Sequence, residues 1–163
     1  MTRDGISLTD SGRGIANRLL VRHYLIERML AEIFGMEWYR VHDEAEQMEH
    51  AVSADFERLL RDKLGETQPC PHGNLVNLET HSERRARGLI PLMEAPPGSR
   101  CAVEAIFERD RQLLEFLDGL GIRPGTRLGI SARNYDGTLI LQLDGGSTPL
   151  GRSAAERIWI RLI

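Results

Sequence analysis

The chain has 163 residues, of which 41% are hydrophobic and 28% charged, an ordinary composition for a globular protein. A chain of this length can bury a core without stabilising disulfides or metals. Its net charge of −3 differs from that of a free-standing DNA-binding domain, which is usually basic. No apolar run reaches the roughly 18 residues of a membrane span and no secretory signal is evident, so we expect a cytoplasmic protein without membrane contact, whose cysteines are reduced.

The first part of the chain has the apolar periodicity of helices. Alternating apolar and polar residues predict a short strand over residues 1–9. Helix-capping residues then precede a long periodic segment that ends at Gly35. A second helix is predicted from about Trp38 or Val41 to Ala51, and a third from the N-cap residue Ser53 to Gly65.

The rest of the chain changes character twice. Residues 66–89 contain a turn-rich stretch and a charged run, which indicate a linker. Several short strands around one helix then favour a small β-barrel. The predicted elements are a strand over 101–107, a helix over 111–120, a hairpin over 128–143, a helical turn over 153–157 and a final strand over 158–162. The fold class predicted is therefore α+β, a helical domain followed by a barrel.

Four potential metal ligands share one face of the second helix. Counting from His42, Glu46, Glu49 and His50 stand at i+4, i+7 and i+8. At about 100° per residue, these side chains fall within an arc of roughly 100°. Adjacent carboxylates repel one another, and a bound dication reverses the sign of that interaction. The pattern predicts a cation site, although a merely solvated polar face remains an alternative.

The first helix offers a second pair of ligand types, His23 and Glu27, again spaced i, i+4. Two antiparallel helices joined by a short turn would bring the two faces together. Imidazole with carboxylate suits manganese, ferrous iron, cobalt, nickel or zinc. A solvated pair is the alternative explanation for these two residues alone. His72, in a Pro/Gly turn, favours a structural or solvent role, and His81 is expected to be exposed.

These motifs resemble a known family. His23-x3-Glu27 followed by His42-Asp43-Glu44-Ala45-Glu46-x2-Glu49-His50 is similar to the metal-binding and dimerisation domain of the diphtheria toxin repressor family, which includes iron- and manganese-responsive repressors. Residues 8–13 resemble the end of that family's DNA-binding wing, and 70–74 its post-helix turn. Residues 90–163, notably Leu117-x2-Leu120-Gly121-Ile122-x-Pro124-Gly125, resemble its SH3-like (FeoA-type) module.

The resemblance implies a domain plan and two metal sites. Residues 1–10 would be a remnant of the wing, 11–65 the helical metal-binding and dimerisation domain, 66–89 a linker and 90–163 the SH3-like domain. The primary site would be Glu46, Glu49 and His50. The ancillary site would be His23, Glu27 and His42, completed by Glu108 or Asp110. A glutamate at position 46 resembles the manganese-responsive branch, so Mn²⁺ is favoured and Fe²⁺ is the alternative, with Co²⁺, Ni²⁺ or Zn²⁺ as substitutes.

The family begins with a winged helix-turn-helix, whereas this sequence starts within what would be the wing. The recognition helix is therefore absent from it, and no DNA-binding residues can be named. We expect a homodimer that represents the metal-sensing and dimerisation part of a repressor controlling metal homeostasis. Operator DNA would be the partner of a full-length form and not of this chain alone.

Two other classes of function are considered. A metal-responsive dimeric adaptor or buffer without DNA contact fits the same residues. A metallohydrolase would need an open coordination position and a general base. Because no nucleophile motif or substrate-binding loop is recognisable, an enzyme is not expected.

Overall fold

The structure is a computed structural model that describes residues 8–76 and 79–163. The strand predicted over residues 1–9, the proposed wing remnant, lies almost wholly outside the described residues. Four helices come first in the described part: α1 Asp10–Arg28, α2 Val41–Met48, α3 Ala54–Leu64 and α4 His81–Ala86. A π-helical turn over Met29–Ile33 extends α1 to Gly35, whose positive φ of 66° ends the run as the sequence predicts.

Helices α1, α2 and α3 share one apolar core. It is built from Leu25, Ile26, Met29, Leu30, Val41, Ala45 and Leu60. The predicted cap Ser53 accepts a hydrogen bond from the Phe56 backbone and begins α3. Ile26 stands three residues after His23 on α1, so the stripe that packs the helices also turns the His23 imidazole towards α2.

The second part is a six-stranded antiparallel sheet in the order β1-β6-β2-β3-β4-β5. Its strands are β1 Ile90–Pro91, β2 Arg100–Ile106, β3 Arg127–Arg133, β4 Leu139–Leu143, β5 Gly146–Leu150 and β6 Ile158–Leu162. Helices α5 Arg111–Gly119 and α6 Arg152–Ala155 pack with the inward side chains of the strands. The predicted α+β class is confirmed. Strand β5 was missed because polar Ser147 and Thr148 hide the alternation and Pro149 suits an edge strand.

The two parts are joined by a packed seam. Trp38, from the helical part, is buried in the core of the sheet, and its indole Nε1 donates to Asp118 Oδ1 at 2.5 Å. The turn at 70–74 docks on β2, where the Ile106 amide donates to the His72 carbonyl at 2.9 Å. A Cβ on Gly73 would lie 1.9 Å from the Glu104 carbonyl oxygen, so only glycine fits there. The segment predicted as a linker is thus packed where it is described and includes α4.

No helix within 8–76 or 79–163 combines the length and apolar character needed to cross a bilayer.

Candidate metal centre

Three ligand-type atoms from α1 and α2 meet at one buried point. His23 Nε2 lies 3.0 Å from Glu27 Oε1 and 2.9 Å from His42 Nδ1, and His42 Nδ1 lies 2.8 Å from the same Glu27 oxygen. All three residues are buried. The i, i+4 spacing on α1 stacks His23 over Glu27, and the packing of α2 on α1 supplies His42. We call these three residues the histidine set.

The spacing within the histidine set suits a shared ion. In an octahedral site, neighbouring ligands at right angles around an ion with bonds of roughly 2.1 Å lie roughly 3.0 Å apart. The observed separations of 2.8, 2.9 and 3.0 Å match that value. Two imidazole nitrogens and one carboxylate oxygen are ligands that Mn²⁺, Fe²⁺ and Zn²⁺ all bind. The arrangement can therefore hold a divalent transition-metal ion.

A second set of potential metal ligands lies on the other side of Glu27. Its Oε2 is 3.3 Å from His72 Nδ1, and it is a buried oxygen without a hydrogen-bond partner among the described residues. Cys70 Sγ lies 3.9 Å from His72 Nδ1 and 3.5 Å from Glu108 Oε2. Ligand atoms of Glu27, Cys70, His72 and Glu108 all fall within 4.8 Å of one another. We call these four residues the thiol set.

The unpartnered Oε2 atom of Glu27 bears on whether the thiol set can hold an ion. A fully buried carboxylate oxygen without a donor is costly, and a cation beside it removes that cost. The thiol set as a whole offers one thiol, one imidazole and two carboxylates, a mixture that suits Fe²⁺, Co²⁺ or Zn²⁺. Because Glu27 belongs to both sets, its two oxygens face two neighbouring positions for a cation.

The remote nitrogens of two imidazoles are held by hydrogen-bond acceptors. His23 Nδ1 lies 2.8 Å from Glu49 Oε2, and His72 Nε2 lies 2.9 Å from the Trp38 carbonyl oxygen. In each ring, a proton on the remote nitrogen donates outwards and leaves the inner nitrogen's lone pair for an ion. This carboxylate–histidine or carbonyl–histidine arrangement is the usual support for metal-ligating imidazole.

The electrostatics of the metal-free centre follow from Glu27. Burial would raise the pKa of Glu27, but the nearby imidazoles of His23, His42 and His72 hold that pKa well below its usual value. Burial lowers the pKa of His23 and of His72, yet contacts with Glu27 outweigh it and the pKa of both rings is raised. Burial and nearby carboxylates raise the pKa of the Cys70 thiol. Protons on these rings and on the thiol therefore compete with a metal ion for the same atoms.

The histidine set is reached through a cavity of about 260 Å³. Apolar side chains of α1, including Leu19 and Leu20, line one wall, and His23 and His42 are at the base. Glu46, Glu49 and Glu108 also line it, with the exposed Arg109. The carboxylates give an entering cation an attractive surface.

The structure brings together the residues expected at the ancillary site. His23, Glu27 and His42 form the histidine set, and Glu108 joins Glu27 in the thiol set. Asp110 does not take part: its Oδ1 accepts from the Leu113 backbone as the N-cap of α5, and its other oxygen pairs with Arg157. The expectation of Asp110 as a ligand is thereby corrected, because its carboxylate is used to begin a helix.

The residues expected at the primary site do not converge. Glu46 is exposed at the cavity wall, Glu49 is buried against His23, and the His50 side chain is 74% exposed with its Nε2 3.4 Å from Glu49 Oε1. The shared face was reasoned for a helix reaching Ala51, whereas α2 ends at Met48. Glu49 still has helical dihedrals as the C-cap, but the Ala51 amide donates to the Met48 carbonyl in a tighter turn, so the helical spacing no longer applies to His50.

Cys70 and His72 are the ligand candidates that sequence reasoning missed. The structural role expected for His72 is incomplete, since its Nδ1 faces Glu27. The available signal was Cys-x-His in a tight turn, two metal-ligand residue types separated by one residue. What it lacked was any indication that the turn docks beside α1.

Models of two families match the chain. The model described as iron dependent repressor, metal binding and dimerisation domain matches residues 9–76, and the FeoA domain model matches residues 90–162. Both histidines of the histidine set and the Cys-x-His turn fall in the first match. The barrel falls in the second.

Individual relatives agree with these matches. The iron-dependent repressor IdeR of Mycobacterium tuberculosis is 32% identical over 161 residues, covering 86% of this chain and 70% of the relative. The diphtheria toxin repressor of Corynebacterium efficiens is 29% identical over 181 residues, covering 100% and 78%. A solved manganese-dependent transcriptional repressor in complex with manganese superposes with a TM-score of 0.83 at 33% identity, covering 98% of this chain and 77% of that one. The chain therefore belongs to the diphtheria toxin repressor family of metal-dependent transcriptional repressors.

Proposed function

We propose that this protein senses a divalent transition-metal ion at the histidine set and couples its occupancy to repression of metal-homeostasis genes. The convergence of His23 Nε2, Glu27 Oε1 and His42 Nδ1 within 3.0 Å of one another carries the proposal. In a metal-dependent repressor the ion acts by binding one conformation better and shifting the population towards it. The described residues supply the metal-sensing and dimerisation part of that switch.

The ion proposed is Mn²⁺ or Fe²⁺. The histidine set offers two nitrogens and one oxygen, which accept either ion, and the Cys70 thiol of the neighbouring set adds a softer donor that favours Fe²⁺ over Mn²⁺. Glu27 has one oxygen in each set, so we propose that two ions can bind side by side. When bound, each ion supplies positive charge that neutralises the buried carboxylates.

Calorimetric titration of the chelator-treated protein with Mn²⁺, and anaerobically with Fe²⁺, tests the proposal. His42→Ala removes one ligand of the histidine set and should weaken binding by at least about 10-fold. Tyr135→Ala is the control, because Tyr135 is a fully exposed residue at a hairpin turn outside both sets. Equal affinities of His42→Ala and wild type would contradict the assignment.

Glu46, Glu49 and His50 remain a predicted further site. Two observations support a role near the ion: Glu46 and Glu49 line the cavity above His23, and Glu49 holds His23 Nδ1. A Glu46→Gln variant with one ion fewer per chain than wild type would bear out the predicted site. An unchanged stoichiometry and affinity would remove Glu46 from it.

We also propose that the protein is a homodimer through its helical part. The match to a dimerisation domain over residues 9–76 supports this, as do large apolar side chains left in contact with solvent on those helices, among them Ile15, Phe34 and Leu59. Light scattering coupled to size exclusion should give a dimer for the wild type. Leu59→Glu should give a monomer, whereas Tyr135→Glu, at a fully exposed hairpin turn, should leave the dimer intact.

A further inference from the structure

The carboxylate of Glu108 is held on both of its oxygens. The Tyr24 hydroxyl donates to Oε1 at 3.1 Å, and the Asn74 amide nitrogen donates to Oε2 at 2.5 Å. The same Oε2 lies 3.5 Å from Cys70 Sγ and 4.0 Å from His72 Nδ1. The hydrogen bond from Asn74 therefore fixes the oxygen of Glu108 that faces the thiol set.

Two further hydrogen bonds fix the orientation of the Asn74 amide. Its nitrogen also donates to the Ile106 carbonyl at 3.2 Å, and its oxygen accepts from Arg84 Nη2 at 2.9 Å. Rotating the amide would place a donor against the guanidinium and an acceptor against Glu108, so both bonds would be lost. Asn74 is 7% exposed, and water has little access to replace them.

Arg84 ties this amide to α4 and to the sheet. Its guanidinium carbon lies 5.3 Å from the centre of the Trp159 ring on β6, and its Nε lies 3.4 Å from Glu79 Oε2. The Arg84 side chain is only 16% exposed. The same guanidinium thus makes both the hydrogen bond to Asn74 and the contact with Trp159.

We propose that Asn74 and Arg84 are positioning residues for Glu108, and that metal binding by the thiol set is coupled to the docking of α4 on Trp159. The inference rests on the proposed metal function. An ion that fixes Glu108 also fixes Asn74, and Asn74 in turn favours the docked Arg84. Coupling between two equilibria is reciprocal, so loosening α4 weakens metal binding by the factor by which metal stabilises α4.

The experiment uses the full chain and Co²⁺ as the probe. The charge-transfer absorbance of Co²⁺ bound to a thiolate reports ligation by Cys70, and its titration gives the affinity of the thiol set. The rate of tryptic cleavage after Arg87, with and without Co²⁺, reports the docking of α4. Arg85→Ala is the matched control: Arg85 is on the same helix, but its hydrogen bonds go to Glu94 and not to Asn74.

Asn74→Ala should lower the Co²⁺ affinity about 10- to 100-fold. Arg84→Ala should lower it roughly 5-fold or more and abolish the protection of Arg87 by Co²⁺. Arg84→Lys should restore part of both, because an ammonium group can still donate to Asn74, and Arg85→Ala should behave as wild type. Binding unaffected by both Asn74→Ala and Arg84→Ala would overturn this inference alone. A wild-type protein without the thiolate absorbance would overturn the proposed function of the thiol set as well.

Discussion

Replacing Glu27 by glutamine removes one negative charge and changes the shape of the side chain very little. In the metal-free protein that charge faces three imidazoles, at 3.0 Å for His23, 2.8 Å for His42 and 3.3 Å for His72. Glu27 is fully buried, so water cannot screen these contacts. Glu27→Gln is therefore expected to lower the free energy of unfolding and to weaken metal binding by both sets.

The size of the stability loss depends on pH. Breaking a buried ion pair from one side costs about 3–5 kcal/mol, and part returns because His23 and His72 release their protons once the carboxylate charge is gone. The folded pKa of both rings is raised, so their pairing with Glu27 is fully present below the unfolded value of 6.5 and is lost as pH rises through the folded pKa. The pKa of Glu27 is lowered, so its charge is present throughout this range. We expect a loss of about 3 kcal/mol at pH 6, and a smaller loss as the pH rises through the raised pKa of the two rings.

Urea denaturation with a chelator present, at pH 6 and pH 8, measures this difference. Glu44→Gln is the control, because Glu44 stands on α2 about 200° around the helix from His42. Calorimetry with Mn²⁺ should show binding at least about 100-fold weaker in Glu27→Gln, since a ligand shared by both sets is lost. A pH-independent stability loss equal to that of Glu44→Gln would refute the reasoning.

Three further predictions concern the same region. Metal affinity should rise between pH 6 and pH 8, because the ion displaces protons from His23 and His72. Calorimetry in buffers of different ionisation enthalpy should show this proton release. Equal heats of binding in all buffers would contradict it. Gly73→Ala should lower the free energy of unfolding by about 3 kcal/mol or more, whereas Gly98→Ala, with a similar φ in open space, should cost about 1 kcal/mol. Glu49→Ala should weaken Mn²⁺ binding about 10- to 100-fold by freeing His23, and unchanged affinity would remove Glu49 from a supporting role.

The histidine set was predictable because its geometry is local. His23 and Glu27 are one helical turn apart on α1, and the apolar stripe that includes Ile26 determines which face packs on α2. His42 lies near the start of the facing helix after a short connection, so few arrangements of the two helices would keep it away from His23 and Glu27. The α+β class was likewise predictable from the switch between helical and alternating patterns.

The thiol set was not predictable in the same way. Cys70 and His72 reach Glu27 only because the turn that contains them docks on β2, a contact between segments more than thirty residues apart. No periodicity encodes such a contact. The site expected at Glu46, Glu49 and His50 stays a prediction, and their side chains do not converge in the structure for a different reason: helix ends are the least certain part of a pattern, and α2 stops at Met48.

The burial of Trp38 in the core of the sheet affects how the molecule unfolds. The indole belongs to the helical part of the chain, yet the sheet would be left with a hole without it, and the docked turn adds a second tie between the parts. Neither part can melt without exposing apolar surface of the other. Heating should therefore produce one calorimetric transition with equal calorimetric and van't Hoff enthalpies, as in a single cooperative unit, although two family models divide the sequence.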